Sequence, residues 1–239
     1  MTRGRSDKSL ARFERIALIL PGGGALGAYQ AGAYAALESS GARPNWLAGT
    51  AMGAINAAII AGNLPHERTF RLRQFWHELA RRIGRRQGGV VPHLLRQWLG
   101  RCRPAERAPL SAAPVAPDTP LLPAAELQAL LHGAVDFGRI NSGTVRLVLG
   151  AVNLVTGAET YFDNDHHVLG PEHVLASTAL PGMLPVTIDG QVYGGGAVSV
   201  AALDDARPAD TLCFVIDGYD PVPGGIGGVS RSAREIAAL

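Results

Sequence analysis

The order of apolar and polar positions predicts that strands and helices alternate along the first part of the chain. Ile16–Leu20, Asn45–Gly49 and Thr211–Asp217 are short segments typical of strands buried in a parallel sheet. Residues 25–39 carry apolar side chains near helical spacing, and Met52–Gly62 is apolar on most sides, which is typical of a buried helix. Strands and helices that alternate in this way predict an α/β fold with a largely parallel sheet.

Two hairpins and two further helices follow. Thr156-Gly157 and Asp189-Gly190 each separate a pair of strand-like segments, and both dipeptides favour hairpin turns. Residues 67–83 place their apolar side chains on one stripe with arginines elsewhere, which predicts an amphipathic helix. Pro171–Leu180 predicts another helix, with proline in its first turn.

We expect one α/β domain, over residues 15–218. A tail precedes it at residues 1–14, and a Gly/Pro-rich tail with a short helix follows it at residues 219–239. Five prolines between residues 104 and 120 predict a flexible insertion, so we expect a variable segment at about residues 84–140. Of the 239 residues, 47% are hydrophobic and 18% are charged, which excludes disorder for the chain as a whole.

The net charge of +2 hides an uneven distribution. Residues 68–107 contain 11 arginines against Glu78 and Glu106, so this segment carries +9. It lacks the interleaved aromatic and glycine residues of an RNA-binding module, so we expect no nucleic-acid partner. Arg-rich amphipathic helices in residues 68–107 fit an anionic membrane surface or an acidic partner, and a solvated face on a core helix fits the same pattern equally well.

The remaining composition predicts a cytoplasmic protein, at most peripheral to a membrane. Two cysteines, Cys102 and Cys213, cannot form a disulfide framework or a zinc site by themselves. The apolar run at residues 16–20 is too short for a secretory signal or a membrane span. Asp163–His167 is rich in Asp and His but falls in a polar loop, so we expect no metal site, and we expect no cofactor.

Two glycine-rich turns carry the candidate chemistry. In the first, Gly22, Gly23, Gly24 and Gly27 lie between a predicted strand and a predicted helix. Backbone N–H groups that converge at a helix N-terminus suit a phosphate or the oxyanion of an acyl-transfer intermediate. A tight turn with close helix–strand packing explains the same glycines without any ligand.

The second turn has the spacing of a nucleophile elbow. Gly49 and Gly53 flank a central residue at the junction of a strand and a helix, where a sharp turn requires close backbone approach. The central residue of such an elbow is a serine, but here it is Ala51, which has no group to attack or to accept a proton. The spacing of a nucleophile site is therefore present without its nucleophile.

The two turns, in this order, resemble the patatin-like phospholipases of bacteria. Further matches lie at Tyr161–Asn164, Gly170–His173 and Ala176-Ser177 with Leu180-Pro181, so the resemblance covers roughly residues 15–82 and 144–218. The resemblance implies a three-layer α/β/α sandwich with a mostly parallel sheet and a Ser-Asp dyad that hydrolyses lipid acyl esters. It also implies that an acyl or lipid-like molecule would bind at the residues of the oxyanion hole, which are Gly22, Gly23, Gly24, Gly27 and Met52.

The sequence departs from the family at both positions of the dyad. Ala51 replaces the serine, and Gly194, in Gly194-Gly195-Gly196, stands where the family has its aspartate. The following segment, Val198–Leu203, has become apolar at positions that are polar or special in the family, and Leu26 replaces a frequent Arg or Lys. Loss of a nucleophile or its base in serine hydrolases lowers the rate about 10⁴–10⁶-fold.

Three hypotheses follow from these departures. The chain is a naturally degenerate homologue that binds an acyl ligand or a protein partner through the inherited pocket. It is an enzyme with altered, non-covalent chemistry that uses the Gly22–Gly24 N–H groups. Or it is a Ser-Asp lipid acyl hydrolase whose dyad was removed by deliberate mutation. The breadth of the loss, from position 51 to positions 194 and 198–203, favours natural degeneracy.

Overall fold

The computed structural model of the protein describes residues 10, 12–23, 26–86, 122–179, 185–195 and 210–217. These residues form seven strands, which are β1 (Arg15–Leu20), β2 (Trp46–Gly49), β3 (Arg146–Asn153), β4 (Glu159–Asp163), β5 (Val186–Ile188), β6 (Gln191–Gly195) and β7 (Thr211–Val215). They also form six helices, which are α1 (Gly27–Ser39), α2 (Met52–Ala61), α3 (Arg68–Arg86), α4 (Ala124–Ala134), α5 (Phe137–Asn141) and α6 (Pro171–Thr178). The expected C-terminal tail and most of the expected N-terminal tail lie outside the described residues.

The strands form one sheet, in which hydrogen-bonded partners follow one another in the order β5-β6-β3-β2-β1-β7, and β4 also pairs with β3. The β1–β2, β1–β7 and β2–β3 pairs are parallel, whereas the β3–β4, β3–β6 and β5–β6 pairs are antiparallel. Among the described strands, five therefore point the same way and β4 and β6 oppose them. The α/β fold with a mostly parallel sheet that the sequence predicts is confirmed, as are both predicted hairpins.

The register along β3 places β6 directly beyond the end of β2. Strand β4 pairs with Val148–Val152, so it shares residues of β3 with both β2 and β6. Because a strand has only two edges, β2 and β6 occupy the same edge of β3, opposite β4. Leu149 pairs with Gly49 at the end of β2, and Ala151 and Val152 pair with β6. The first residues past β2 therefore lie next to the end of β6.

The main core lies between the sheet and the helices. All ten residues of α2 are buried, as its nearly continuous apolar sequence predicts. Alternate strand residues such as Leu18, Leu47 and Leu147 pack in this core together with residues of the helices. The opposite face of the sheet carries a second buried cluster, to which no described helix contributes: Ala17, Ile19, Trp46, Ala48 and Val148. The second helical layer of the predicted sandwich is thus not seen in the described part of the chain.

Part of the expected insertion at residues 84–140 belongs to the core. Helix α4 buries Leu127, Leu130 and Leu131 in the main cluster, and Ile140 of α5 joins them. This part is therefore a pair of core helices, whereas residues 87–121 lie outside the described ranges. None of the described helices is both long and apolar enough to cross a membrane.

A buried histidine of α6 packs against the sheet. The ring of His173 meets that of Phe162 edge-on at 4.8 Å, and Phe162 meets Tyr193 of β6 at 5.1 Å. Burial lowers the pKa of His173 from its ordinary value of 6.5, because the charged ring loses its hydration; nearby carboxylates, including that of Glu172, oppose this shift.

We expect this histidine to make the protein less stable in mild acid. Because the pKa of His173 is lower in the folded chain, the unfolded chain binds more protons as the pH falls through 6.5. The free energy of unfolding should therefore decrease below about pH 6.5, until the lower pKa of the folded state is reached. Urea unfolding between about pH 7.5 and about pH 5.5 measures this slope. His173→Gln should flatten it, and the same change at exposed His66 should leave it as in the parent.

Candidate functional site

The turn between β2 and α2 has the backbone of a nucleophile elbow. Ala51 has φ 50° and ψ −124°, a conformation that residues with a side chain rarely adopt. The turn is also so tight that position 53 requires glycine. A Cβ atom at Gly53 would overlap the carbonyl oxygen of Leu20 at the end of β1. The elbow geometry that the sequence predicts is thus present, with a methyl group at its apex.

Ser177 of α6 holds the elbow from behind. The Ala51 N–H donates to the Ser177 carbonyl oxygen at 3.2 Å and lies 3.1 Å from its hydroxyl oxygen. The Ser177 hydroxyl in turn donates to the carbonyl oxygen of Gly150 on β3 at 2.6 Å, and the side chain is completely buried. These bonds tie the strained residue to both the sheet and α6, which explains how the structure maintains its conformation.

The glycine turn lies directly against the apex of the elbow. A Cβ atom placed on Gly22 would be 3.1 Å from the Cβ atom of Ala51. The Gly22 N–H donates to the hydroxyl of Thr50 at 3.2 Å, and Thr50 is buried. Gly22 therefore uses its N–H group within the protein, and its part in the site is to bring the turn against position 51.

Two other N–H groups at this junction keep their hydrogen-bonding capacity. Among the described residues, no acceptor contacts the N–H of Gly23 or that of Met52. Met52 is the first residue of α2, where the orphan N–H groups and the helix dipole favour negative charge. A carbonyl or carboxylate oxygen above Ala51 would have these donors to bind. Gly24, the remaining predicted donor, lies outside the described residues.

A buried chain of polar side chains fixes both ends of the glycine turn. The Gln30 amide donates to the carbonyl oxygens of Pro21 at 2.7 Å and Ile216 at 3.2 Å. The Asn56 amide donates to the carbonyl oxygen of Gly27 at 2.8 Å and to Gln30 Oε1 at 3.1 Å. Pro21 and Gly27 bracket the turn, so α1 and α2 clamp it from both sides.

Helix α3 joins this polar chain through Trp76. The Trp76 indole N–H donates to Asn56 Oδ1 at 2.9 Å. The same ring packs so closely on Gly27 that a Cβ atom there would be 2.5 Å from Trp76 Cζ2. Gly27 therefore allows α3 to approach the start of α1, and its role in ligand binding stays a prediction.

Position 194 lies at the same edge of the sheet as the elbow. Gly194 of β6 pairs with Val152 of β3, just beyond the end of β2. Its φ angle is not positive, so the backbone does not require glycine there. A Cβ atom at Gly194 would meet Leu154 Cδ2 at 3.0 Å, and the Leu154 side chain is flexible and 54% exposed. A side chain at position 194 thus requires Leu154 to shift, and the exposed Leu154 side chain can do so.

The polar loop after β4 uses its carboxylates for an internal ion pair. Arg146 contacts the carboxylates of Asp163 at 2.7 Å and Asp165 at 3.3 Å, and it stacks on the ring of Trp46. The described residues contain no group of three or more His, Cys, Asp or Glu side chains that could hold a metal ion.

Comparison with known protein families identifies the family of the chain. The family model described as "Patatin-like phospholipase" matches residues 18–218, which include the glycine turn, the elbow and position 194. The chain belongs to the patatin-like phospholipase family. No match is found among curated proteins.

One solved structure similar to this patatin-like chain is VipD from Legionella pneumophila. The two are 16% identical with a TM-score of 0.46, and the match covers 94% of this chain and 53% of the VipD chain. This chain thus spans about half the length of that relative.

Three residues of this patatin-like site were not assigned a role from the sequence, namely Gln30, Asn56 and Trp76. The sequence contains a feature that could have indicated two of them. Asn56 is the one polar side chain in α2, and Gln30 interrupts an apolar stretch of α1. A polar residue in a helix that is otherwise fully buried must find a partner, and that partner is the backbone of the glycine turn.

We expect Ala51→Gly to stabilise the protein. The strain of a side chain at this φ and ψ costs about 1–3 kcal/mol, and the greater freedom of glycine in the unfolded chain offsets part of the gain. A net increase of about 1 kcal/mol in the free energy of unfolding should follow, as measured in urea. The control Ala80→Gly, at an exposed position of α3, should lose about 1 kcal/mol. Equal losses in both variants would show that Ala51 is not strained.

We also expect Asn56→Ala to be strongly destabilising. It leaves the Trp76 indole N–H and the Gly27 carbonyl oxygen buried without their partner, at about 1–3 kcal/mol for each group. A loss of about 3 kcal/mol in the free energy of unfolding should result. Asn45 is an exposed asparagine that also makes backbone hydrogen bonds, and its change to Ala should cost less than about 1 kcal/mol. Similar losses for both asparagines would contradict the network.

Proposed function

We propose that this patatin-like protein is a catalytically degenerate homologue of the lipid acyl hydrolases, which binds an acyl or lipid-like ligand at the elbow. The observation that carries the proposal is the strained backbone at Ala51, which has no nucleophilic side chain and lies beside the Gly23 and Met52 N–H groups, for which no described residue is an acceptor. A turn that costs stability and no longer serves a nucleophile retains one use, which is to aim these donors at a bound oxygen atom.

The chemistry that these groups support is binding and polarisation. The Gly23 and Met52 N–H groups can donate to the carbonyl or carboxylate oxygen of an acyl chain near the N-terminus of α2. Ala51 cannot form an acyl-enzyme, and Gly194 cannot accept a proton. Without a nucleophile, donors of this kind leave about 10³–10⁴-fold catalysis over water, far below a complete serine hydrolase.

A fluorescent fatty acid tests the proposal directly. Nitrobenzoxadiazole-labelled decanoate should bind saturably to the purified protein, and unlabelled decanoate should displace it. The protein should hydrolyse p-nitrophenyl butyrate about 10⁴–10⁶-fold more slowly than a complete serine hydrolase does. A Cβ atom added at Gly23 would press on Leu26 at 3.1 Å and shift the turn, so Gly23→Ala should weaken binding at least tenfold.

The matched control for this experiment is Gly32→Ala on the exposed side of α1. A Cβ atom at Gly32 meets nothing within 4 Å, so binding should be unchanged. Absence of saturable binding, or equal affinity in Gly23→Ala and the parent, would refute an acyl site at this turn.

A second candidate, a Ser-Asp lipid acyl hydrolase that has lost its dyad by mutation, has one observation in its favour. A Cβ atom at Gly194 requires only a shift of the exposed Leu154 side chain, and the fold retains the elbow at Ala51. The double variant Ala51→Ser with Gly194→Asp would then regain ester hydrolysis and react with a fluorophosphonate probe. Our proposal expects neither, because Val198–Leu203 has also lost the polar pattern of the family. Robust activity in the double variant would favour this candidate.

A further inference from the structure

The outward face of α3 presents three arginines, a histidine and a phenylalanine. Phe70, Arg73, His77, Arg81 and Arg85 are exposed and follow one another at spacings of three or four residues, so they lie along one side of the helix. We call these five residues the outer stripe. At 1.5 Å per residue the stripe is about 22 Å long.

Arginines outnumber acidic residues along α3, so the outer stripe is positively charged. Helix α3 contains seven arginines and one acidic residue, Glu78. Hydrogen bonds from Arg81 and Arg82 hold the pKa of Glu78 at about 2, so this carboxylate stays ionised. It is already paired with these two arginines of its own helix. No acidic residue in the described part of the chain pairs with Arg73 or Arg85.

Exposed apolar side chains lie at one end of the outer stripe. Phe70 is 64% exposed, and Leu64, in the turn that leads into α3, is 42% exposed. Basic residues beside exposed aromatic and aliphatic side chains are typical of helices that lie on an anionic bilayer, where the charges meet lipid head groups and the apolar groups enter the interface. A nucleic acid would match the charge but not these apolar side chains.

The opposite face of the same helix contacts the candidate site. Trp76 packs on Gly27 and donates to Asn56, whereas the outer stripe faces solvent. A bilayer held against the outer stripe would thus be one helix diameter, about 10 Å, from the start of α1.

We propose that the outer stripe of α3 docks the protein on the surface of a bilayer that contains anionic phospholipid. The contacts are those of Arg73 and Arg85 with lipid phosphates and of Phe70 with the interface. This proposal does not require an acyl ligand at Ala51, so it stands or falls independently of the proposed function.

Co-sedimentation with vesicles tests the proposal. The full chain should bind vesicles of equimolar phosphatidylcholine and phosphatidylglycerol, bind vesicles of phosphatidylcholine alone far more weakly, and be released by salt. Each arginine near an anionic surface strengthens binding about fivefold, so Arg73→Gln with Arg85→Gln should weaken it about 30-fold. Phe70→Ser should weaken the binding that persists at high salt.

The matched control removes the same charge elsewhere. Arg12 and Arg43 are exposed and lie outside α3, and Arg12→Gln with Arg43→Gln should leave vesicle binding within about twofold of the parent. Equal weakening in both double variants, or equal binding to both kinds of vesicle, would overturn the proposal. So would binding of a duplex oligonucleotide that depends on Arg73 and Arg85 without binding to vesicles. Thermal melting of each variant establishes that it is folded.

Discussion

The hydrogen bonds between the Ala51 N–H and Ser177 are the constraint on which the rest of the site depends. They hold a residue with a side chain at φ 50°, and the Ser177 hydroxyl passes the restraint on to β3 through Gly150. This conformation directs the methyl group of Ala51 towards Gly22 and starts α2 immediately afterwards. If Ser177 were released, the elbow would relax and the Met52 N–H would lose its direction.

The site separates geometry from chemistry in an unusual way. Attack on an ester and proton transfer need reactive side chains, and Ala51 and Gly194 supply none. The geometry belongs to backbone atoms, close glycine contacts and buried amides, and none of these needs the dyad in order to persist. Electrostatic preorganisation is a property of fixed dipoles, so the ligand site that we propose does not depend on reactive side chains.

Helix α3 links the glycine turn to the protein surface. Its inner face completes a buried chain from Trp76 through Asn56 to Gln30, and each polar group in that chain is satisfied by the next. Because a buried polar chain is costly to break at any point, α3 and the glycine turn behave as one packed unit. The arginines of the outer stripe take no part in this buried chain of hydrogen bonds. The two faces of α3 can therefore differ in composition.

The sequence by itself determined the local parts of this protein. Turn residues and apolar periodicity act over a few neighbours, so the hairpins, the buried helix Met52–Ala61 and the elbow spacing were all predictable. The loss of a catalytic dyad stays a prediction. Only the tertiary structure decided which distant groups meet. Strand β6 continues the line of β2 and so brings Gly194 beside the elbow, Thr50 takes the Gly22 N–H, and Asn56 reaches Gly27 and Trp76. These contacts depend on strand register and helix packing across separations of 20 residues or more, which no local pattern in the chain encodes.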